Sequence, residues 1–258
     1  MPTHEETARI ELEHWQQQML ELPGVFNRTA QRLQRKVNSY IPDSVHSAIT
    51  TVLRQMIQAV LTGSHYTAPA PLEGLSLAER EARIVDRIDF YRRTAAAEGG
   101  ITGAGGFILG IADFPLLLTL KIKLLFDIAS MYGHSTLDYK ERLYILSIFQ
   151  LAFSSDAHRR TVYLEIADWQ TRLDELPASI DDYDWRTLQQ EYRDYIDLAK
   201  LAQLLPVIGA PVGIVVNNRL VRKLGDTAMN AYRMRWFAPR AIEASHATGD
   251  GRDVTSSG

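Results

Sequence analysis

The chain has 258 residues, 46% hydrophobic and 23% charged, with a net charge of −3 and no cysteine. That size and balance allow a buried core without covalent staples. They exclude a disulfide scaffold, thiolate zinc sites and a cysteine nucleophile, and they give no overall pull toward nucleic acid or an anionic membrane.

The start, MPTHEETARIELEHW, is acidic and polar, with neither a signal-peptide pattern nor a lipidation box. A polar helix is expected over Glu5–Leu20, with Ile10, Leu12, Trp15 and Met19 as its apolar set and Pro23-Gly24 ending it. Phe26–Val37 reads as a short basic helix. Val45, Ile49, Val52, Met56 and Val60 recur at helical spacing after Pro42, and Gly63 closes that run. Thr62–Leu75 is the clearest loop. Ser76 with Glu79 forms a capping box and opens a helix to about Glu98, with Ile84, Val85, Ile88 and Tyr91 on one face.

Gly99–Leu120, GGITGAGGFILGIADFPLLLTL, follows, glycine-rich and interrupted by Asp113 and Pro115. A carboxylate and a proline argue against one membrane-spanning helix. The expected shape is two helices, 101–112 and 115–131, with Asp113 as N-cap of the second. Gly99, Gly103, Gly106 and Gly110 would then form one smooth stripe, facing a neighbouring helix either in a soluble core or in a membrane. Ser135 and Asp138 repeat the capping pattern before a helix over Leu137–Phe153. A polar helix over 157–173 and a long amphipathic one over Trp185–Leu205 come next. Leu201–Asn218 is free of charge and contains Pro206 and Pro211, which suits a kinked element or a buried helix–turn–helix. No alternating strand and no fixed-period repeat is found.

Charge is unevenly placed. Glu165–Asp197 holds ten acids against three Arg, whereas Arg219–Arg240 holds six basic residues against Asp226. Arg219, Arg222, Lys223, Arg233 and Arg235 form a candidate basic patch for phosphates or an acidic partner.

Reaction chemistry is not evident. Gly103-Ala104-Gly105-Gly106 lacks the third glycine of a dinucleotide fingerprint and the Gly-Lys-Ser/Thr of a P-loop. Glu11-x-x-His14 has no second copy for a di-iron site. Asp181, Asp182 and Asp184 lack the EF-hand spacing. No catalytic residue, cofactor or metal site is assigned.

The glycine-rich stretch, Ile128-Ala129-Ser130-Met131-Tyr132-Gly133, Glu141-Arg142, LPVIGAPVGIVVNN and the helix through Ala228 and Ala231 to Phe237 together resemble the EcsC family, over roughly Asp43–Phe237. Gly103, Gly105, Gly106, Asp113, Pro115, Tyr132, Gly133, Gly209 and Asn217 match its pattern, and their expected roles are turns, caps and close packing. The resemblance implies a helical bacterial protein linked by name to ABC transport.

The expected architecture is an all-α single domain with a central Gly-rich apolar helical hairpin. It divides into a polar and basic N-terminal extension (1–40), an EcsC-like domain (41–237) and a disordered tail (238–258). The expected function is a non-enzymatic accessory role at the cytoplasmic face of the bacterial inner membrane, peripheral or shallowly inserted. The partner would be the membrane surface or a membrane complex such as an ABC-type transporter, with a homo-oligomer possible and no nucleic acid. The rival expectation is a soluble ligand-binding protein or enzyme with a pocket near Asp113.

Overall fold

A computed structural model describes residues 2–21, 43–63, 69–102, 106–155, 158–176 and 210–249. Of these, helical residues 43–49, 95–102, 106–114, 210–217 and 239–249 are described as backbone alone. The described residues form α1 (His4–Leu20), α2 (Asp43–Thr62), α3 (Leu77–Thr102), α4 (Gly106–Met131), α5 (Tyr139–Phe153), α6 (Arg159–Ala167), α7 (Trp169–Glu175) and α8 (Ala210–Gly249), and they contain no strand. The expected all-α single domain is the observed fold class. The expected helices at 26–37 and 185–205 lie outside the described residues, as do Gly103, Gly105 and Gly209.

One expected helix start is built as the sequence implies, and a second is shifted, with Asp138 as the cap itself where a Ser135–Asp138 box was expected. The Ser76 Oγ accepts the Glu79 backbone N–H at 3.4 Å, and the Glu79 carboxylate accepts the Ser76 N–H at 2.9 Å. Asp138 caps α5 by accepting the Lys140 N–H at 2.9 Å, so that helix starts after Asp138 and not at Leu137. Gly63 ends α2 in the left-handed region, at φ +68°.

α5 is the most enclosed element. Twelve of its residues are buried, on every side of the helix. α2, α4, α6 and α8 pack around it. α3 and α8 make the most extensive helix pairing and run antiparallel, with Glu81 against Arg233 and Ile88 against Gly225. α1 is no detached extension: Ala8 and Leu12 enter the core, and Trp15 meets Tyr163 edge-on at 5.7 Å. Its expected apolar set needs one correction, because Ile10 is 64% exposed. Val85 of α3 is likewise half exposed, while Ile84, Ile88 and Tyr91 are buried as expected.

Four further expectations are corrected. Asp113 is not an N-cap, and Pro115 does not open a helix: α4 runs unbroken from Gly106 to Met131 with Pro115 inside it. A proline there removes one backbone bond. Burial of Leu117, Leu118, Ile122, Leu124, Leu125, Phe126, Ile128 and Ala129 along the same helix outweighs that loss. The glycine stripe does not lie on one helix, since Gly99 belongs to α3 whereas Gly106 and Gly110 belong to α4. The helix expected over 157–173 is two, α6 and α7, divided at Asp168. The backbone of α8 continues past Pro239 to Gly249, where a disordered tail was expected. Ala, Glu and Arg dominate the first turn after Pro239 (Arg240-Ala241-Ile242-Glu243-Ala244), and these are good helix formers.

One close approach was missed in the sequence. A Cβ on Gly225 would lie 2.5 Å from Ile88 Cδ1 and 2.7 Å from Ile88 Cγ1. On an open helix, Gly→Ala stabilises by roughly 1 kcal/mol. Here the clash reverses the sign: Gly225→Ala is expected to lose about 1–3 kcal/mol in urea unfolding, and Ile88→Val in the same chain should recover part of that loss.

Candidate functional site

α8 carries two arginines that leave it on opposite sides. Arg233 is almost fully buried and forks onto Glu81 of α3, with Nε 2.6 Å from Oε1 and Nη2 2.8 Å from Oε2. Its Nη1 reaches Glu11 of α1 at 2.9 Å. Glu81 also accepts from the Tyr132 hydroxyl at 2.9 Å and meets His4 Nε2 at 2.8 Å. Three helices and the residue that follows α4 therefore meet on one carboxylate. Burial pushes the Glu81 carboxyl up, but the Arg233, Tyr132 and His4 contacts overcome it and hold it below its ordinary value. Burial opposes the charge on Arg233 too, and Glu81 outweighs it, so the guanidinium is held above its ordinary value.

Arg235 faces the other way. Its Nη1 lies 3.0 and 2.8 Å from the two oxygens of Glu141 on α5, and its Nη2 lies 3.1 Å from His134 Nδ1. The guanidinium also sits over the Tyr144 ring at 4.7 Å. The Tyr232 hydroxyl donates to Glu141 at 2.6 Å, and the Tyr144 hydroxyl donates to the Ala231 carbonyl at 2.7 Å. Burial raises the pKa of Tyr132, Tyr144 and Tyr232, so all three remain hydroxyl donors. Stacked Tyr132 and Tyr232, 5.3 Å between ring centroids, join the two clusters. His134 stacks on the same Tyr232 ring, and its pKa is lowered by burial, with Arg235 and Arg80 adding to the effect against Glu141.

Two further buried arginines fix chain ends. Arg80 donates to the carbonyls of Leu72, Leu75 and Met131, clamping the segment before α3 onto the end of α4. Gly133, at φ +92°, ends α4: its N–H bonds the Ser130 carbonyl, and that of His134 bonds Ala129, both at 3.0 Å. Arg142 donates to the carbonyls of Leu61, Thr136 and Leu137. A third pairing crosses from α4 to α3, where buried Asp127 accepts from the Tyr91 hydroxyl at 2.9 Å and lies 2.9 Å from Arg87 Nε.

The family-pattern residues therefore separate into groups. Tyr132 and Gly133 fall in the polar network. Gly106, Asp113 and Asn217 are described only as helical backbone, and Pro115 is exposed. The pocket expected near Asp113 lies where side chains are not described. The basic patch is corrected: Arg233 and Arg235 are consumed by Glu81 and Glu141, and Arg219, Arg222 and Lys223 remain on the surface. Arg222 lies 3.9 Å from Asp226, an exposed pair of small energetic weight. Among the described residues no group of three or more His, Asp or Glu is arranged to hold a metal ion.

Sequence reasoning passed over Glu81, His4 and Tyr232, and weighed Glu11 only as half of a di-iron pattern. Their contacts join residues 51 to 222 positions apart in the chain, which no local spacing reveals.

Chemically, the network offers structure more than reaction. Both glutamates have their oxygens taken by arginine and tyrosine donors, and what results is a lock on the rotation and register of α8. Removing one partner of such a pair leaves a buried charge. Arg233→Met is expected to cost about 3–5 kcal/mol, Arg219→Met within about 0.5 kcal/mol, and Arg233→Met with Glu81→Leu less than Arg233→Met alone, all read by urea unfolding. Acid should act in two steps. Glu81 and His134 both have folded pKa values below their ordinary 4.5 and 6.5, so each loses its stabilising effect as pH falls through its folded value. Stability should be flat from pH 6.5 up to the ordinary tyrosine value of 10.0, decline below 6.5, and decline further below 4.5. His134→Gln should remove the upper decline in a pH series of thermal unfolding.

Comparison with known proteins places this geometry in a family. The EcsC protein family profile matches residues 6–237, which includes α1 and extends the resemblance well beyond its expected start near Asp43. The chain is 42% identical to protein EcsC of Bacillus subtilis (strain 168) over 230 residues, 89% of this chain and 94% of that protein. It is 30% identical to the uncharacterized protein YdbA of the same organism over 149 residues, 58% of this chain and 55% of that protein. No solved structure matches significantly. On both the family profile and the extent of identity, this chain belongs to the EcsC family.

Proposed function

We propose that this chain is a non-enzymatic accessory protein at the cytoplasmic face of the bacterial inner membrane, docking by one apolar end against lipid and a membrane complex such as an ABC-type transporter. The observation that carries this reading is the convergence of three helix ends. α3 and α8 are antiparallel, so the last turns of α3, the first turns of α4 and the first turns of α8 stand at the same end of the bundle. Sequence makes that end apolar. Residues 94–120 contain only Glu98 and Asp113 as charges, and residues 201–218 contain none. Exposed Arg219, Arg222 and Lys223 stand at its base on α8.

No described helix is long and apolar enough to cross a membrane. A shallow, interfacial mode suits that limit. Helix ends with an apolar face enter the headgroup–acyl boundary by roughly 5–10 Å, and basic residues behind them add attraction to anionic lipid. Deeper placement would carry Asp113 into hydrocarbon at a cost of roughly 2.5–3.5 kcal/mol.

Fractionation of the native host tests this reading. The protein is expected with membranes after a high-salt wash. Ile108→Glu with Ile214→Glu should move it several-fold toward the soluble fraction, with unchanged helicity by circular dichroism. Wild-type protein wholly in the soluble fraction overturns the proposal.

A further inference from the structure

Arg92 and Arg93 of α3 and Asn218 of α8 line one cavity of about 340 Å³, together with Asp89. That volume lies at the lower end of the range for small-ligand sites, roughly 300–1,000 Å³. Its chemistry is that of an oxyanion site. Asp89 is matched by Arg92, 2.7 Å away, which leaves Arg93 as uncompensated positive charge. Among the described residues Arg93 has no acidic partner, and the Asn218 carboxamide has no hydrogen-bond partner. The Nε of Arg92 is shielded from solvent and has no acceptor. Two guanidinium groups and an amide supply the several donors that phosphate oxygens take. Arg222 stands one helical turn beyond Asn218, exposed, on the same face of α8. The acid near this group is exposed Asp226, 3.9 Å from Arg222.

The position of the cavity identifies the source of the phosphate. From Arg93 to the end of α3 at Thr102 is nine residues, about 13 Å of helix. From Asn218 back to Ala210 is eight residues, about 12 Å. Each headgroup layer of a bilayer is roughly 5–7 Å thick. A phosphate held in the cavity therefore puts the apolar helix ends roughly 6 Å into the acyl region, inside the range for interfacial helices. We infer that the α3–α8 cavity binds the phosphate of an anionic phospholipid headgroup and sets the depth at which the apolar end docks. This rests on the membrane-face reading above.

The test is flotation of the full chain with vesicles of phosphatidylcholine alone or with phosphatidylglycerol added. Wild-type protein is expected to favour the anionic vesicles. Arg93→Gln should weaken that binding roughly five-fold, the effect of about 1 kcal/mol per basic residue at an anionic surface. Arg83→Gln makes the same charge change about 15 Å along α3, beyond the screening length of roughly 10 Å, and should leave binding unchanged. Asn218→Ala alters no charge and should still weaken it, which diffuse attraction would not produce. Binding to the two vesicles without preference, or unchanged by Arg93→Gln and Asn218→Ala, overturns the cavity site and leaves the docking proposal standing. Binding to neither vesicle overturns both. Stabilisation by millimolar inorganic phosphate that depends on Arg93, with vesicle binding indifferent to it, overturns the lipid assignment in favour of a soluble phosphate ligand.

Discussion

A guanidinium enclosed in a helical core needs acceptors for its N–H groups, and α8 places two arginines two residues apart that each find theirs on a carboxylate. Two residues turn a helix by about 200°, so Arg233 and Arg235 leave opposite sides and find Glu81 on α3 and Glu141 on α5. Two forks aimed in opposite directions leave α8 no freedom to rotate or slide. The tyrosines complete the constraint, since Tyr132 and Tyr232 satisfy remaining carboxylate lone pairs and stack on each other. Desolvating two ion pairs adds little net stability. What it secures is a single register, and the other contacts of α8 follow from that register. Gly225 comes to face Ile88, Asn218 comes beside Arg92 and Arg93, and the first turns of α8 come beside the junction of α3 and α4.

The fold class was legible because its signals are local. The Ser76–Glu79 box, Gly63, and Ile84, Ile88 and Tyr91 on one face all act within a turn or two. The errors arose where tertiary packing overrides local preference. Asp113 before Pro115 has the form of a helix start, yet burial of the leucine- and isoleucine-rich stretch that follows carries the helix through both. Exposed Ile10 and buried Ala8 reverse the naive reading of α1 for the same reason, because its inward face is decided by the partners waiting at Glu81, Arg233 and Tyr163.

The candidate site was legible only in part. Six basic residues in one segment look like a surface patch, and three of them, Arg219, Arg222 and Lys223, are exposed. Nothing local distinguishes them from Arg233 and Arg235, whose partners lie 152 and 94 positions away. Arg93 and Asn218 are separated by over a hundred positions and come together only through the α3–α8 register. Glycine was similarly misleading. The conspicuous glycines near residue 103 drew attention, while Gly225, which did not, is pressed upon by the Ile88 side chain of α3.

The ionic lock and the apolar end lie at different levels of the same two helices. Glu81 and Arg93 are twelve residues apart, about 18 Å along α3. That separation bears on the docking proposed above. On the proposed docking mode, the end that meets lipid could not carry the ion pairs that fix helix register, because each charge there would oppose transfer out of water. Placing the lock among α1, α3, α5 and α8 leaves the far ends of α3, α4 and α8 free to be glycine-rich and nearly uncharged, while the packing that orients them is set elsewhere. In the docking mode proposed above, the exposed arginines between the two levels would stand where an apolar surface gives way to a polar one, at the depth of the bilayer phosphates.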